Sequence, residues 1–254
     1  MIEKKEIWIP CFQDKRMLHI YVPDSALSEN RRYPVLYMYD GHNLFSDEEA
    51  TYGKSWGMKE YLDQAEEELI IVGLECNHEG NMRLSEFSPY DFEDKQVGWI
   101  HGQGKVLMEW MSQDLRLYIN SIYPTLPGRE YTGIAGSSMG GLMALYSILA
   151  HNDIYSKAAV LSPFLYPMAD KIYEELDRVK LSMHTKTYIS WGSDEFRSKN
   201  QLAYATERNL DIAHELTKRK TQVYPRLIAK GRHNEASWEQ ELPVFLPYLF
   251  LNRS

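Results

Sequence analysis

Short apolar runs alternate with longer amphipathic ones along most of this chain. Glu6-Ile7-Trp8-Ile9-Pro10 and Met17-Leu18-His19-Ile20-Tyr21-Val22 alternate in polarity, as half-buried strands of an opening hairpin do. The runs from Pro34 to Tyr39 and from Leu69 to Leu74 are continuously apolar, as expected of strands covered on both faces. Between them, Ser55 to Glu67 reads as a helix. Residues 104–122 give a second, with Val106, Leu107, Trp110, Met111, Leu115, Tyr118 and Ile119 on one face. Further strands are predicted at 131–135, 158–161, 187–191 and 222–227, and helices at 142–150, 199–219 and 238–249. Strands alternating with helices imply an α/β fold, a mostly parallel central sheet of about eight strands with helices on both faces. No internal repeat, low-complexity tract or Pro/Gly linker divides the chain, so residues 1–254 are expected to form one domain.

Residues 75–103 interrupt the rhythm with little periodicity. A loop of that length inside a compact domain is usually functional or disordered, and its Phe87, Tyr90, Phe92 and Trp99 argue against disorder. It follows a strand's C-terminal end, where open α/β sheets bind ligands, so it is expected to form a wall or partial lid of the site.

The most informative residues are Gly136-Ser137-Ser138-Met139-Gly140-Gly141, which contain G-x-S-x-G centred on Ser138. Alone the motif is weak, but here it joins a predicted strand to a predicted helix. That context describes a nucleophile elbow, a sharp turn that lifts a serine hydroxyl out of the sheet. The flanking glycines suit it, because the serine backbone is strained and neighbouring side chains would clash.

A serine hydroxyl is a poor nucleophile at neutral pH and needs a base, itself oriented by an acid. In enzymes built on such an elbow the chain order is Ser, then Asp or Glu, then His. Downstream lie His151, His184, His214 and His233. His151 ends the elbow helix, His184 precedes a strand and His214 sits mid-helix among charges. Only His233 follows a strand's C-terminal end. The acid should leave the preceding strand, where Asp194 and Glu195 are adjacent; they point apart in a loop, and composition does not choose between them.

Composition narrows the partners. The net charge of −8 disfavours nucleic acid and anionic membrane surfaces. Two cysteines, Cys11 and Cys76, make no disulfide framework and show no metal-ligand spacing. The charged start Met1-Ile2-Glu3-Lys4-Lys5-Glu6 is unlike a signal peptide, and no apolar run spans a bilayer. These features lead to the expectation of a cytoplasmic protein with a small-molecule substrate. A homo-oligomer is compatible with all of them.

Several motifs together resemble the esterase D family of α/β-hydrolases. They are Asp40-Gly41-His42-Asn43-Leu44-Phe45, similar to the family's D-G-x-N-L-F after its third strand, and Ser55-Trp56-Gly57. The likeness continues through Arg83-Leu84-Ser85-Glu86-Phe87-Ser88-Pro89-Tyr90, the elbow, Gly192-Ser193-Asp194-Glu195 and residues 231–238. His233-Asn234-Glu235-Ala236-Ser237-Trp238 matches a bacterial branch carrying H-N-E-x-x-W, which includes siderophore trilactone hydrolases and short-chain acyl esterases. The resemblance implies an α/β-hydrolase fold and hydrolysis of a small acyl ester or a siderophore lactone through an acyl-enzyme, with no metal or organic cofactor. It implies Ser138 as nucleophile, His233 as base and, through the family's G-x-x-[DE], Glu195 as acid. The backbone N–H groups of His42 and Met139 would form the oxyanion hole, His42 standing where the motif usually carries Gln. Asp40, Trp56 and Arg83 are the nominated substrate contacts. A thioesterase resembling S-formylglutathione hydrolase is the alternative, ranked lower because such members lack D-G-x-N-L-F. A non-catalytic protein on the same fold ranks last.

Overall fold

A computed structural model describes residues 1–28, 30–65 and 68–251. In chain order the first half comprises β1 (Ile2–Ile9), β2 (Asp14–Tyr21), α1 (Ser25–Ser28), β3 (Val35–Tyr39), α2 (Met58–Leu62), β4 (Ile70–Leu74), α3 (Met82–Glu86), β5 (Phe92–Asp94) and β6 (Gly98–Ile100). The helical stretch α4 (Gly104–Trp110) and α5 (Arg116–Ile122) follows, then β7 (Thr132–Ser137), α6 (Met139–Ala150), β8 (Lys157–Leu161) and α7 (Ala169–Arg178). The chain ends with β9 (Lys186–Gly192), α8 (Lys199–Lys218), β10 (Gln222–Ile228), α9 (Glu235–Glu239) and α10 (Leu242–Phe250).

Eight strands form one sheet in the order β1-β2-β4-β3-β7-β8-β9-β10. The β1–β2 and β2–β4 pairs are antiparallel, and every later pair is parallel. This is the mostly parallel sheet that the alternating pattern predicted. Polarity follows position. The central strands β3 and β4 are buried throughout, while β10, at the edge, alternates exposed and half-buried residues. Pro225 is tolerated in β10 because an edge strand can do without one ladder donor.

Side-chain alternation along each strand feeds two cores, one on each face. In β3, Val35, Tyr37 and Tyr39 join α4 to α8 on one side, whereas Leu36 and Met38 face α2, α9 and α10 on the other. Successive strand residues point to opposite faces, so one apolar run serves both layers.

Four expected elements differ in detail. The helix expected from Ser55 to Glu67 is reduced to α2; Asp47 holds Ser55 outside it through two 2.7 Å hydrogen bonds, and Gly57 opens it at φ 58°. Glu66 and Glu67 lie outside the described residues. Within 104–122 a π-helical segment, Met111–Leu115, separates α4 from α5. Met108 and Ser112 are buried there, while Val106 and Tyr118, expected on the inner face, are exposed. A π turn advances more slowly around the axis than an α turn, which rotates Tyr118 outward. Val106 lies beyond the buried stripe from the start. The last helix is split, because Pro243 has no N–H to continue α9 and instead suits the first turn of α10. Finally, residues 75–103 are not irregular throughout: they hold α3 and the antiparallel β5–β6 hairpin. No helix among the described residues is long and apolar enough to cross a membrane.

Candidate active site

The parallel register brings four chain segments to one edge of the sheet. Ser137 pairs with Leu161, Leu161 with Ser190, and Gly192 with Ile228. The residues just beyond these strand ends, Ser138, Ser162, Glu195 and His233, therefore leave the sheet on the same side.

Ser138 has φ 57° and ψ −120° at the N-terminus of α6. A residue with a Cβ rarely adopts this conformation, and holding it costs about 1–3 kcal/mol. Packing compensates. Ser138 N–H donates to the Leu161 carbonyl at 3.0 Å, and its own carbonyl accepts from Phe164 and Leu142 N–H, each at 3.0 Å. The turn closes only with glycines beside it, since a Cβ on Gly136 would stand 2.6 Å from the Gly140 carbonyl carbon. Ser138 is half-buried, and the α6 helix axis starts directly behind it.

Glu195 is held from three directions. Its Oε1 accepts from Gly192 N–H at 2.5 Å and from the Ser162 hydroxyl at 2.6 Å, and its Oε2 stands 3.1 Å from His233 Nδ1. The Ser162 oxygen in turn accepts the Trp238 indole N–H at 2.9 Å, and the His233 ring packs edge-on against that indole, centroids 5.2 Å apart. The Glu195 side chain is 5% exposed and that of His233 43%, so the acid is shielded while the imidazole faces solvent. Close backbone contact at Gly192 and Gly231, where a Cβ on Gly192 would overlap the Gly231 carbonyl, is what brings the two loops together. Asp194 is exposed and accepts from the Ser193 hydroxyl at 2.9 Å, and the ion pair to His233 comes from Glu195. The other three candidate histidines lie elsewhere: His151 caps α6, while His184 and His214 are exposed.

His233 and Glu195, but not Ser138, His42 or Met139, line a cavity of about 670 Å³. Phe164, Tyr166, Trp191 and Tyr204 supply aromatic walls, and Lys95, Arg197 and Arg208 supply positive charge. Lys95 belongs to the tip of the β5–β6 hairpin, so part of the 75–103 segment borders this space.

The turn after β3 begins at Asp40, in the left-handed region at φ 57°, and forms a short 3₁₀ turn, Gly41–Asn43. Asn43 N–H bonds the Asp40 carbonyl and Leu44 N–H the Gly41 carbonyl. The His42 N–H comes too early in the turn to find an acceptor within it, as does the Met139 N–H at the start of α6.

The three nominated substrate contacts are placed differently. Trp56, expected as an aromatic wall, is a core residue at 2% exposure, packed against Trp238 and Phe245. Arg83 forks onto Asp40, Nε to Oδ1 and Nη2 to Oδ2, both at 2.7 Å, with its guanidinium over Phe87. The pair satisfies itself and pins α3 to the turn after β3. Burial alone would raise the Asp40 carboxyl, but the Arg83 charge overrides it and holds the carboxyl below its ordinary value. Ser162 and the Trp238 indole were missed as site residues, because nothing local marks a serine after β8 as a partner of Glu195.

Among the described residues, one cluster carries metal-ligating groups: His42, Cys76 and His78 each offer an atom within 4.8 Å of the others. Burial lowers the His42 imidazole below its ordinary value.

A strained serine elbow on a parallel sheet, with an acid and a histidine at neighbouring strand ends, is the arrangement found in serine hydrolases of the α/β type. Residues 10–249 match the model of the family described as "Putative esterase", and the chain belongs to that family. Family membership makes it an ester hydrolase. An IroE-like serine hydrolase from Shewanella oneidensis shares the fold with a TM-score of 0.79 at 18% identity, over 98% of this chain and 80% of that one. A siderophore hydrolase, EstA, from Aspergillus nidulans superposes with a TM-score of 0.70 at 13% identity, over 96% and 94%. An S-formylglutathione hydrolase, FrmB, from Staphylococcus aureus gives 0.67 at 18% identity, over 98% of each chain.

Proposed function

We propose that Ser138, His233 and Glu195 are the catalytic triad and that the substrate is a carboxylic ester or lactone with an aromatic acyl group. The observation that carries the triad is Glu195 itself. Two donors fix one of its oxygens and leave the other facing His233 Nδ1 at 3.1 Å. That bond selects the tautomer in which His233 Nε2 accepts the Ser138 proton as the hydroxyl attacks the ester carbonyl. The tetrahedral oxyanion would be received by the N–H groups of His42 and Met139, each such donor lowering the barrier by about 3 kcal/mol. His233 then protonates the leaving alcohol, and water repeats the cycle on the acyl-enzyme.

The cavity supports the substrate class. About 670 Å³ exceeds what a short acyl chain needs, its aromatic walls suit stacking, and Lys95, Arg197 and Arg208 offset the overall negative charge locally. The β5–β6 hairpin serves as one wall. The unpaired thiols of Cys11 and Cys76 support a cytoplasmic location.

The test is kcat/KM for 4-nitrophenyl esters from acetate to octanoate beside a catecholate trilactone, with Ser138→Ala as blank. A trilactone preference is expected. Strong acetate turnover with a flat trilactone response would mark a general short-chain esterase and overturn the aromatic assignment, and a fully active Ser138→Ala would overturn the triad.

A further inference from the structure

The turn after β3 and the loop after β4 meet beside the Asp40–Arg83 pair. There His42, Cys76 and His78 converge, one ligand atom of each within 4.8 Å of the other two. His42 is 6% exposed, and its Nδ1 is a buried nitrogen with no hydrogen-bond partner among the described residues. Its Nε2 stands 2.9 Å from the Thr51 hydroxyl, and its ring meets that of His78 edge-on at 4.6 Å. A buried ring nitrogen without a partner is costly and uncommon enough to require a reason. The esterase chemistry uses only the backbone N–H of this residue, so the side chain is unexplained by it.

We propose that His42, Cys76 and His78 bind one zinc ion, with solvent as fourth ligand, and that the ion ties the turn after β3 to the loop after β4. Three features carry the assignment. The donor set is one thiolate and two imidazoles, which suits borderline and soft ions, whereas magnesium and calcium ask for oxygens. With zinc on His42 Nδ1, the Nε2–H donates to Thr51, the outer-sphere arrangement that orients metal-bound imidazoles. An entry path exists, because the His78 side chain is 55% exposed while His42 and Cys76 are buried.

Zinc–nitrogen and zinc–sulfur bonds of about 2.0 and 2.3 Å put tetrahedral ligands roughly 3.4 Å apart, so from separations of up to 4.8 Å the cluster must close by up to about 1.4 Å. The exposed His78 is the side chain able to make that move. On binding, zinc replaces the Cys76 thiol proton, which leaves to solvent, and the charge of the ion itself balances the thiolate. The inference does not depend on the esterase reading, and no step of ester hydrolysis runs through the ion.

The test is titration of metal-free protein with zinc against a chromophoric chelator, with cobalt as spectroscopic probe and thermal melting in parallel. One zinc per chain and a thiolate-to-cobalt charge-transfer band are expected. At hundredfold excess over Kd, Tm should rise by roughly 5–10 °C, and magnesium should not shift it. His78→Ala should weaken zinc by at least ~10–100-fold, with the Tm of metal-free protein unchanged, and Cys76→Ser should abolish the cobalt band. His78→Ala carries the test should Cys76→Ser fail to fold. Absence of zinc uptake at micromolar concentration, or uptake that neither variant alters, overturns the proposal.

Discussion

Two loop clusters sit at the same edge of the sheet and are finished differently. Around Glu195, both oxygens are engaged, one by Gly192 N–H and the Ser162 hydroxyl and the other by His233. Around His42, the Asp40–Arg83 pair is closed, yet the neighbouring imidazole keeps a buried nitrogen without a partner among the described residues. A closed network orients a side chain for chemistry between partners already present. An open donor set instead marks a place where something from outside completes the arrangement.

The sharpest way to break this comparison is at the closed cluster. Glu195→Gln should lower kcat about 10⁴-fold, because the amide favours the wrong imidazole tautomer, while Asp194→Asn should remain near wild type. Steady-state kinetics on a 4-nitrophenyl ester decides it; the reverse ranking would mean that His233 is oriented by the other carboxylate.

Next comes the packing behind that cluster. Trp56→Ala should destabilise the fold by about 3–5 kcal/mol in urea unfolding, since the indole is buried against Trp238 and Phe245. Retained stability with a changed KM would return Trp56 to the cavity wall.

A third carboxylate tests whether perturbation alone marks function. Burial pushes Glu241 up to about 7, against 4.5 ordinarily, with its Oε2 accepting from the Tyr188 hydroxyl at 2.6 Å. Between those pH values the folded protein holds a proton that the unfolded chain releases. Stability should therefore fall by roughly 3 kcal/mol as pH rises from about 4.5 to about 7. Glu241→Gln should flatten that slope, as chemical denaturation across the pH range will show. An unchanged slope would mean that Glu241 is ionised in the fold.

The smallest effect concerns the support of Glu195. Ser162→Ala removes one donor to the carboxylate and leaves the Trp238 indole unpaired, a loss of about 1–3 kcal/mol, or roughly 10–100-fold in kcat. KM should hold, because Ser162 acts through Glu195. A loss confined to KM would make Ser162 a substrate contact.

The alternation of apolar runs was sufficient to predict the eight-stranded, mostly parallel sheet, and the strand-to-helix context of Ser138 marked the elbow. His233 was legible for the same reason: it follows a strand's C-terminal end, and strand ends are readable from local periodicity. Between Asp194 and Glu195 local pattern had no preference; the motif resemblance pointed to Glu195, and the structure puts Glu195 beside His233 with Asp194 in solvent. Trp56 and Arg83 show the other limit. Each stands in a segment near the site, but whether a loop side chain turns inward or outward depends on what other segments place beside it. The meeting of His42 with Cys76 and His78 is of the same kind, since β3 and β4 are neighbours in the sheet but not in the chain.

By itself, the amino-acid sequence determined the sheet, the elbow and the strand-end histidine, because hydrophobic period and turn chemistry act between residues a few positions apart. Only the tertiary structure decided which carboxylate faces His233, that Trp56 is core, and that three ligand atoms gather around His42. Those outcomes depend on strand register and on the packing of segments distant in sequence, which no local pattern encodes.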